Sequence, residues 1–312
     1  MIYLDNAATT PLDPEVIEVM SDTMKNYHGN PSSVHTFGRE ARVLIENARK
    51  TVSSFLNVSP SEIFFTSCGT EAINTAISGC VNDLGIRHFV TSHIEHHATL
   101  HSLEKHIKNN LCTISYIKLD AKGKVDLEDL KKILHAKGRS LVCLMHANNE
   151  IGNLLPLKET SEICSQSGSL FLCDTVQTIG KVKNDIGAAH IDFAICSAHK
   201  FHGPKGIGFL YKNGDINISP LIKGGGQERN MRSGTENIYG IVGLAKAMEV
   251  AFKNIDTDTS HILSLKSLMI KRLREEIPEI IFNGESAEKG LHTILNVSFP
   301  KTKKSEMLLY NL

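Results

Sequence analysis

Strand-length apolar runs alternate with longer amphipathic stretches along this chain. The runs fall at 63–66, 88–91, 113–118, 141–146, 170–174, 193–197 and 208–211. Between them lie helical patterns over 34–56, 71–84, 98–109, 127–134 and 157–167. In the first of these, Ala41, Leu44, Ile45, Ala48, Val52, Phe55 and Leu56 recur at spacings of three and four, which lines one helix face. Strands alternating with helices predict an α/β fold whose mainly parallel central sheet is flanked by helices on both faces. In such sheets ligands gather beyond the carboxyl ends of the strands, and the polar clusters of this chain fall at those ends. A further helical pattern over 238–252 closes a large domain expected at 12–255. The polar stretch 254–260 marks its boundary with a smaller α+β C-terminal domain, made of 1–11 and 256–312.

Composition narrows the function classes. Lys plus Arg and Asp plus Glu are both 34, so the net charge is zero and no basic stripe or basic amphipathic segment offers a nucleic acid or a membrane surface a footing. The longest apolar runs are strand-sized, too short to span a bilayer. Residues 1–11 have neither a basic nor an apolar signal-peptide region, so a cytoplasmic location is expected. The seven cysteines show no CxxC spacing and several sit in apolar runs, which reads as reduced, buried thiols and not a disulfide framework.

The candidate chemistry lies at the strand ends. Lys200 closes the run Phe193-Ala194-Ile195-Cys196-Ser197-Ala198-His199-Lys200, just ahead of the glycine-rich Gly203-Pro204-Lys205-Gly206. Asp174 ends another run. An amine for an aldehyde and an anion for a pyridine nitrogen are what pyridoxal phosphate requires of a protein. Taken alone, Lys200 reads equally well as a solvated surface charge. Ser67-Cys68-Gly69-Thr70-Glu71 is a polar turn feeding a helix, where backbone N–H groups and a hydroxyl can meet a phosphate. The same residues also make an ordinary capping signature.

His93-Ile94-Glu95-His96-His97 and His101 hold two His-x-x-x-His pairs. The order is not HExxH, so no metal is assigned; the competing reading is His96 stacked over a flat cofactor and moving protons. Asn148-Asn149 at a strand end offers amides to a cofactor hydroxyl or a substrate carboxylate, or simply forms a turn. Gln177 places an amide three residues after Asp174. The loop 223–237, rich in glycine and arginine, could present donors to a phosphate or be a plain surface loop.

These segments together resemble one family. Tyr3-Leu4-Asp5-Asn6-Ala7-Ala8-Thr9-Thr10, Asn30-Pro31-Ser32-Ser33, Gly69-Thr70-Glu71, Glu95-His96, Asn148-Asn149-Glu150-Ile151-Gly152, Asp174-Thr175-Val176-Gln177, Ser197-Ala198-His199-Lys200 and Arg232-Ser233-Gly234-Thr235-Glu236-Asn237 resemble the NifS/IscS-type cysteine desulfurases, class V enzymes of fold-type I that use pyridoxal phosphate. The resemblance runs from residue 3 to residue 312. It implies that Lys200 carries the cofactor as a Schiff base and moves the substrate α-proton, and that Asp174 pairs with the pyridine nitrogen. Gln177 would bond the ring hydroxyl, His96 would stack on the ring, and Asn149 would lie near the substrate carboxylate. Gly69, Thr70, Ser197 and His199 would hold the phosphate. Thr235 would reach the cofactor of a second copy in a homodimer.

The implied reaction converts L-cysteine to L-alanine and passes sulfur to an enzyme cysteine persulfide, and from there to an acceptor protein such as an iron–sulfur scaffold or a tRNA-thiolation partner. By the same resemblance, the persulfide-forming cysteine and a carboxylate-binding arginine are expected beyond residue 312, so the small domain is expected to be incomplete and the activity of these 312 residues alone doubtful. Two other readings stay open: a non-catalytic form that binds the cofactor or serves as a scaffold, and another class V activity such as a selenocysteine lyase or a small-substrate aminotransferase.

Overall fold

The computed structural model describes residues 2–183 and 185–302. Its frame is a seven-stranded sheet: β1 (Ile63–Thr66), β2 (His88–Thr91), β3 (Thr113–Tyr116), β4 (Leu141–Met145), β5 (Leu170–Asp174), β6 (Phe193–Ser197) and β7 (Gly208–Lys212), in the order β1-β7-β6-β5-β4-β2-β3. Five strands run parallel through β6, β5, β4, β2 and β3. β7 is antiparallel to both neighbours and joins β1 to the rest. The strand positions follow the apolar runs because a strand buried on both faces needs apolar residues at every position. β4, β6 and β7 are buried throughout.

Helices cover both faces. On one side pack α1 (Pro14–Asn26), α2 (Thr36–Leu56), α5 (Leu127–Lys137), α6 (Leu157–Gln166) and the first part of α7 (Ile238–Glu276), against Phe65, Val142, Leu144, Phe171, Ala194 and Phe209. On the other pack α3 (Gly69–Asn82) and α4 (His97–Lys108), against Phe89, Leu141, Cys143, Leu172, Phe193 and Leu210. Alternate residues of each strand therefore serve opposite cores, as the pleat dictates.

Two elements differ from the sequence expectation. Pro14–Asn26 is a helix that the periodicity did not single out; Asp13 caps it through Glu15 N at 2.8 Å and proline stands at its start. α7 does not stop near residue 252 but runs on to Glu276, so the expected boundary at 254–260 lies inside it. Beyond it, β8 (Ile281–Phe282) and β9 (Val297–Ser298) form a small antiparallel pair. Residues 303–312, the last of the small domain expected at 256–312, lie outside the described residues.

Candidate active site

The carboxyl ends of β5 and β6 bring the sequence candidates together. Asp174 ends β5 and is buried; its Oδ1 accepts the Val176 N–H at 3.0 Å. Burial raises its carboxyl above the ordinary value, against the pull of the Val176 N–H and of the positive charges of His96 and Lys200. Among the described residues no cation bonds it directly, so a buried carboxylate is left wanting a positively charged hydrogen-bond donor.

Ser197 ends β6, and Lys200 follows in a single 3-10 turn. Lys200 Nζ donates to Ala7 O at 2.6 Å and Ala8 O at 2.8 Å. Burial lowers its ammonium from the ordinary lysine value, while Asp174 and Asp5 pull the other way. A lowered lysine holds more free amine at neutral pH, the form that attacks a carbonyl. The opening segment is fastened beside it: Thr10 N and Thr10 Oγ1 both donate to His199 O at 2.9 Å, and Thr9 Oγ1 meets His199 Nδ1 at 3.1 Å. Burial, reinforced by the charges of Lys200, Lys205 and Lys181, brings the His199 imidazole down to about 4, so it is neutral at pH 7.

Gln177 is buried on the turn after β5, with Nε2 donating to Ala7 O at 2.9 Å and Oε1 accepting from Lys181 Nζ at 3.2 Å. Ala7 O thus takes donors from both Gln177 and Lys200. Neither Ala7 nor Lys181 was a sequence candidate.

α3 starts at Gly69, two residues ahead of the expected start at 71, so the polar turn belongs to the helix N-terminus itself. Gly69 N donates to Ser197 Oγ at 2.8 Å, which leaves the serine proton free for an outside acceptor. A Cβ on Gly69 would lie 3.0 Å from both Ser197 Oγ and Val176 Cγ2, so a larger residue would press on these side chains at the strand ends. Cys68, at the cap position, gives no side-chain hydrogen bond to the first turn, and Thr70 is exposed there. An uncapped helix start beside a serine hydroxyl and a neutral imidazole is suited to a phosphate.

His96 caps α4 by accepting the Ala98 N–H at 3.1 Å, and its ring is exposed. A cavity of about 280 Å³ lies between His96, Glu95, Asn148, Asn149 and Ile151. Asn148 builds the turn: its Nδ2 donates to Ile94 O at 2.9 Å, and its Oδ1 accepts the Glu150 and Ile151 N–H groups, each at 2.9 Å. Asn149 lines the same cavity and, among the described residues, its side chain bonds only its neighbour Glu150, at 2.9 Å. His93 stacks on Tyr116 at 3.8 Å and His97 on His101 at 5.1 Å. His93 is thus drawn away from His97, while His97 and His101 stack on each other, and the described residues hold no group of three ligands for a metal.

Glu95, read in the sequence only as part of the Glu95-His96 motif, is a buried carboxyl whose Oε1 accepts from Ser92 Oγ at 2.7 Å. Burial, opposed by the Ser92 bond and aided by the charge of Asp174, pushes it up to about 8. It is therefore neutral at pH 7 and adds no second negative charge beside Asp174. A carboxyl raised in the folded state stabilises the fold below its ordinary value of 4.5, and that contribution is lost as pH rises to about 8. Glu95→Gln, which keeps the shape without the charge, is expected to melt higher than the parent at pH 9, by on the order of a few kcal/mol in stability, and nearly alike at pH 5. An identical pH dependence in both proteins would contradict a neutral Glu95.

Thr235 is exposed on the loop 223–237 and, among the described residues, bonds none of the groups above. Among the described residues three ion pairs hold its loop, the longest between Arg229 Nη2 and Glu46 Oε2 at 3.5 Å. Arg232 Nε meets Glu71 Oε1 at 3.0 Å, which ties the loop to the first turn of α3. Arg49 of α2 grips Glu228 through two bonds of 2.8 Å, and Glu228 also accepts the Phe65 N–H at 2.8 Å.

Comparison with known proteins agrees with this geometry. The model of the family described as aminotransferase class-V matches residues 2–310. A cysteine desulfurase IscS of Dictyoglomus turgidum is 42% identical over 99% of this chain and 78% of that protein. A solved NifS-like protein superposes with a TM-score of 0.93 at 38% identity, covering 99% of this chain and 85% of its own. The structure described as SspA in complex with cysteine gives a TM-score of 0.87 at 28% identity, covering 100% and 87%. Sheet order, strand-end lysine and aspartate, and a match along nearly the whole chain converge: this chain belongs to the class V aminotransferase family.

Proposed function

We propose that the protein is a pyridoxal-phosphate-dependent cysteine desulfurase, which takes sulfur from L-cysteine and leaves L-alanine. The observation that carries this reading is the convergence of Lys200, the buried Asp174 and the Gly69–Ser197 turn at one end of the sheet. The residues fit the cofactor: among the described residues Asp174 bonds no cation, the α3 start has no side-chain cap, and Gly69 spares the turn a Cβ that would crowd Ser197 Oγ.

Pyridoxal phosphate, when bound, supplies an electron sink for the charge left as an amino acid loses its α-proton. Asp174 holds the proton on the pyridine nitrogen, and a hydrogen-bonded cation is what its buried charge requires. Lys200 anchors the cofactor and then carries the proton from the substrate Cα, a task suited to an amine lowered by burial. Gly69, Thr70, Ser197 and neutral His199 take the phosphate. Gln177 would donate to the ring hydroxyl, His96 would cover the ring, and Asn149 would orient the substrate carboxylate.

In the net reaction the Cβ–S bond of cysteine breaks, a C–H bond forms at Cβ, and the departing sulfur forms an S–S bond with a thiol. L-cysteine and a thiol thus yield L-alanine and a persulfide. Burial raises the thiols of Cys80, Cys112, Cys143, Cys164, Cys173 and Cys196, so none of these six offers a thiolate near neutral pH.

We also read the protein as a cytoplasmic homodimer in which Thr235 completes the partner's phosphate site. Its exposure supports this, as do the exposed apolar side chains of Ile2, Leu4, Val34 and Phe37. An iron–sulfur scaffold or tRNA-thiolation protein is the acceptor in this reading. No helix of the described residues is long and apolar enough to cross a membrane.

The test is product analysis. Protein loaded with pyridoxal phosphate, given L-cysteine and dithiothreitol, is expected to form alanine and sulfide in equal amounts. Absence of both alanine and exchange of the cysteine α-hydrogen with solvent would contradict the reading, and a strong preference for selenocysteine would reassign the substrate.

A further inference from the structure

Lys181 has no part in the chemistry above, yet it sits against it. Its side chain is part-buried on the turn after β5, and its one side-chain bond among the described residues is to Gln177 Oε1, at 3.2 Å. A lysine amine so enclosed usually has a carboxylate partner; this one has an amide oxygen. Burial, with a smaller push from the charge of Lys200, brings its ammonium down to about 8. The rings of His199 and His292 also feel its charge.

We propose that Lys181 is a positioning residue that fixes the side-chain amide of Gln177 with its Nε2 turned toward the cofactor. An ammonium has only protons to offer, so the amide atom facing it must be oxygen. That choice sends Nε2 the other way, where it donates to Ala7 O at 2.9 Å, the carbonyl that accepts from Lys200 at 2.6 Å. Lys181, Gln177, Ala7 and Lys200 thus form one continuous line of hydrogen bonds. The two ends of an amide are nearly equal in size, and only its hydrogen-bond partners distinguish them. Ala7 O favours the same sense, since a turned amide would set its oxygen against that carbonyl. Lys181 and Ala7 O thus grip the amide from its two ends, and losing Lys181 leaves it held at one end alone. This inference rests on the reading of Gln177 as donor to the ring hydroxyl and names the residue that enforces it.

The effect is visible without turnover. A donated hydrogen bond on the ring oxygen disfavours proton uptake by the bound chromophore, so losing it raises the pH at which the visible absorbance changes. In the loaded protein, Lys181→Met is expected to raise that midpoint by about one pH unit, and Lys181→Arg, which keeps the donor, to restore most of it. In a Gln177→Leu background the Lys181→Met shift should largely vanish, since the effect passes through Gln177. A shift of equal size in both backgrounds, or no shift in either, would overturn the inference.

A second measurement covers variants that fold poorly or take up no cofactor. In cofactor-free protein labelled with 15N-glutamine, the Gln177 side-chain resonance, identified by its loss in Gln177→Leu, should move with a midpoint near 8, where Lys181 loses its proton. A resonance that stays still from pH 6 to 10 would overturn the inference. Colourless protein in every case would contradict the cofactor reading instead, and the amide titration would still decide the role of Lys181.

Discussion

Arg49→Ala is expected to lower the stability of the protein by about 3–5 kcal/mol, the usual loss when one partner of a buried ion pair is removed. Arg49 and Glu228 are each 2% exposed in their side chains, so neither has water to fall back on. Without the guanidinium, Glu228 keeps one donor, the Phe65 N–H, and Ile63 O loses the Arg49 Nη1 bond of 2.7 Å. The backbone adds to the loss. Glu228, Arg229 and Asn230 hold φ values of 44, 53 and 67°, three successive non-glycine residues in the left-handed region. Such residues cost roughly 1–3 kcal/mol each and persist only where the surroundings hold them. Arg49 holds the first of them through Glu228, and Arg229 is held in turn by Pro60 O at 3.1 Å and Glu46 at 3.5 Å.

The consequence reaches the site because the same loop carries Arg232 and Thr235. Urea denaturation at pH 7 measures the effect. Arg49→Lys should recover only part of it, since an ammonium cannot make the paired bonds of a guanidinium. The double variant Arg49→Met with Glu228→Leu should lose less than Arg49→Ala, because no charge stays buried alone. A loss below about 1 kcal/mol for Arg49→Ala would place the pair among those that contribute little, as exposed pairs do.

The largest effect on chemistry belongs to Lys200. Lys200→Ala is expected to slow exchange of the α-hydrogen of L-cysteine with deuterium oxide by roughly 10²–10⁴-fold, the range that a positioned acid–base group supplies. It should also release the cofactor on dialysis, because a covalent anchor is replaced by phosphate and ring contacts alone. Added methylamine, a small external base, should return part of the exchange. A variant that exchanges at the parent rate would move the proton-carrying role to another group, with His96 the next candidate by position.

Much of this was legible in the chain because buried strands leave a plain trace. Leu141–Met145 and Phe193–Ser197 are buried at every position, so their sequence is apolar at nearly every position too. Asp174, Ser197 and Lys200 were legible for the converse reason: polar residues closing an apolar run stand at the mouth of a sheet. Strand direction was not legible. Gly208–Lys212 reads the same whether β7 runs with its neighbours or against them, and it runs against.

The length of α7 was hidden by Asn254, Asp256, Thr257, Asp258, Thr259 and Ser260, all weak helix formers. Each costs only tenths of a kcal/mol, which a helix already formed on both sides and packed through Ile255 can absorb. The contacts that complete the site were hidden by distance and chemistry together. Ala7 O and Ala8 O meet Lys200 from 193 and 192 residues away through backbone atoms, which no side-chain motif announces. Lys181 gave no signal either, because a lysine in a polar turn is ordinarily solvated.

The central claim is that Lys200 anchors pyridoxal phosphate covalently, and one measurement reaches it most directly. The protein is incubated with pyridoxal phosphate, reduced with borohydride, digested, and its peptides are mapped by mass spectrometry. A pyridoxyl-phosphate adduct on Lys200, with the yellow absorbance lost on reduction, is the predicted result. An adduct confined to other lysines, or no adduct at all, would contradict it.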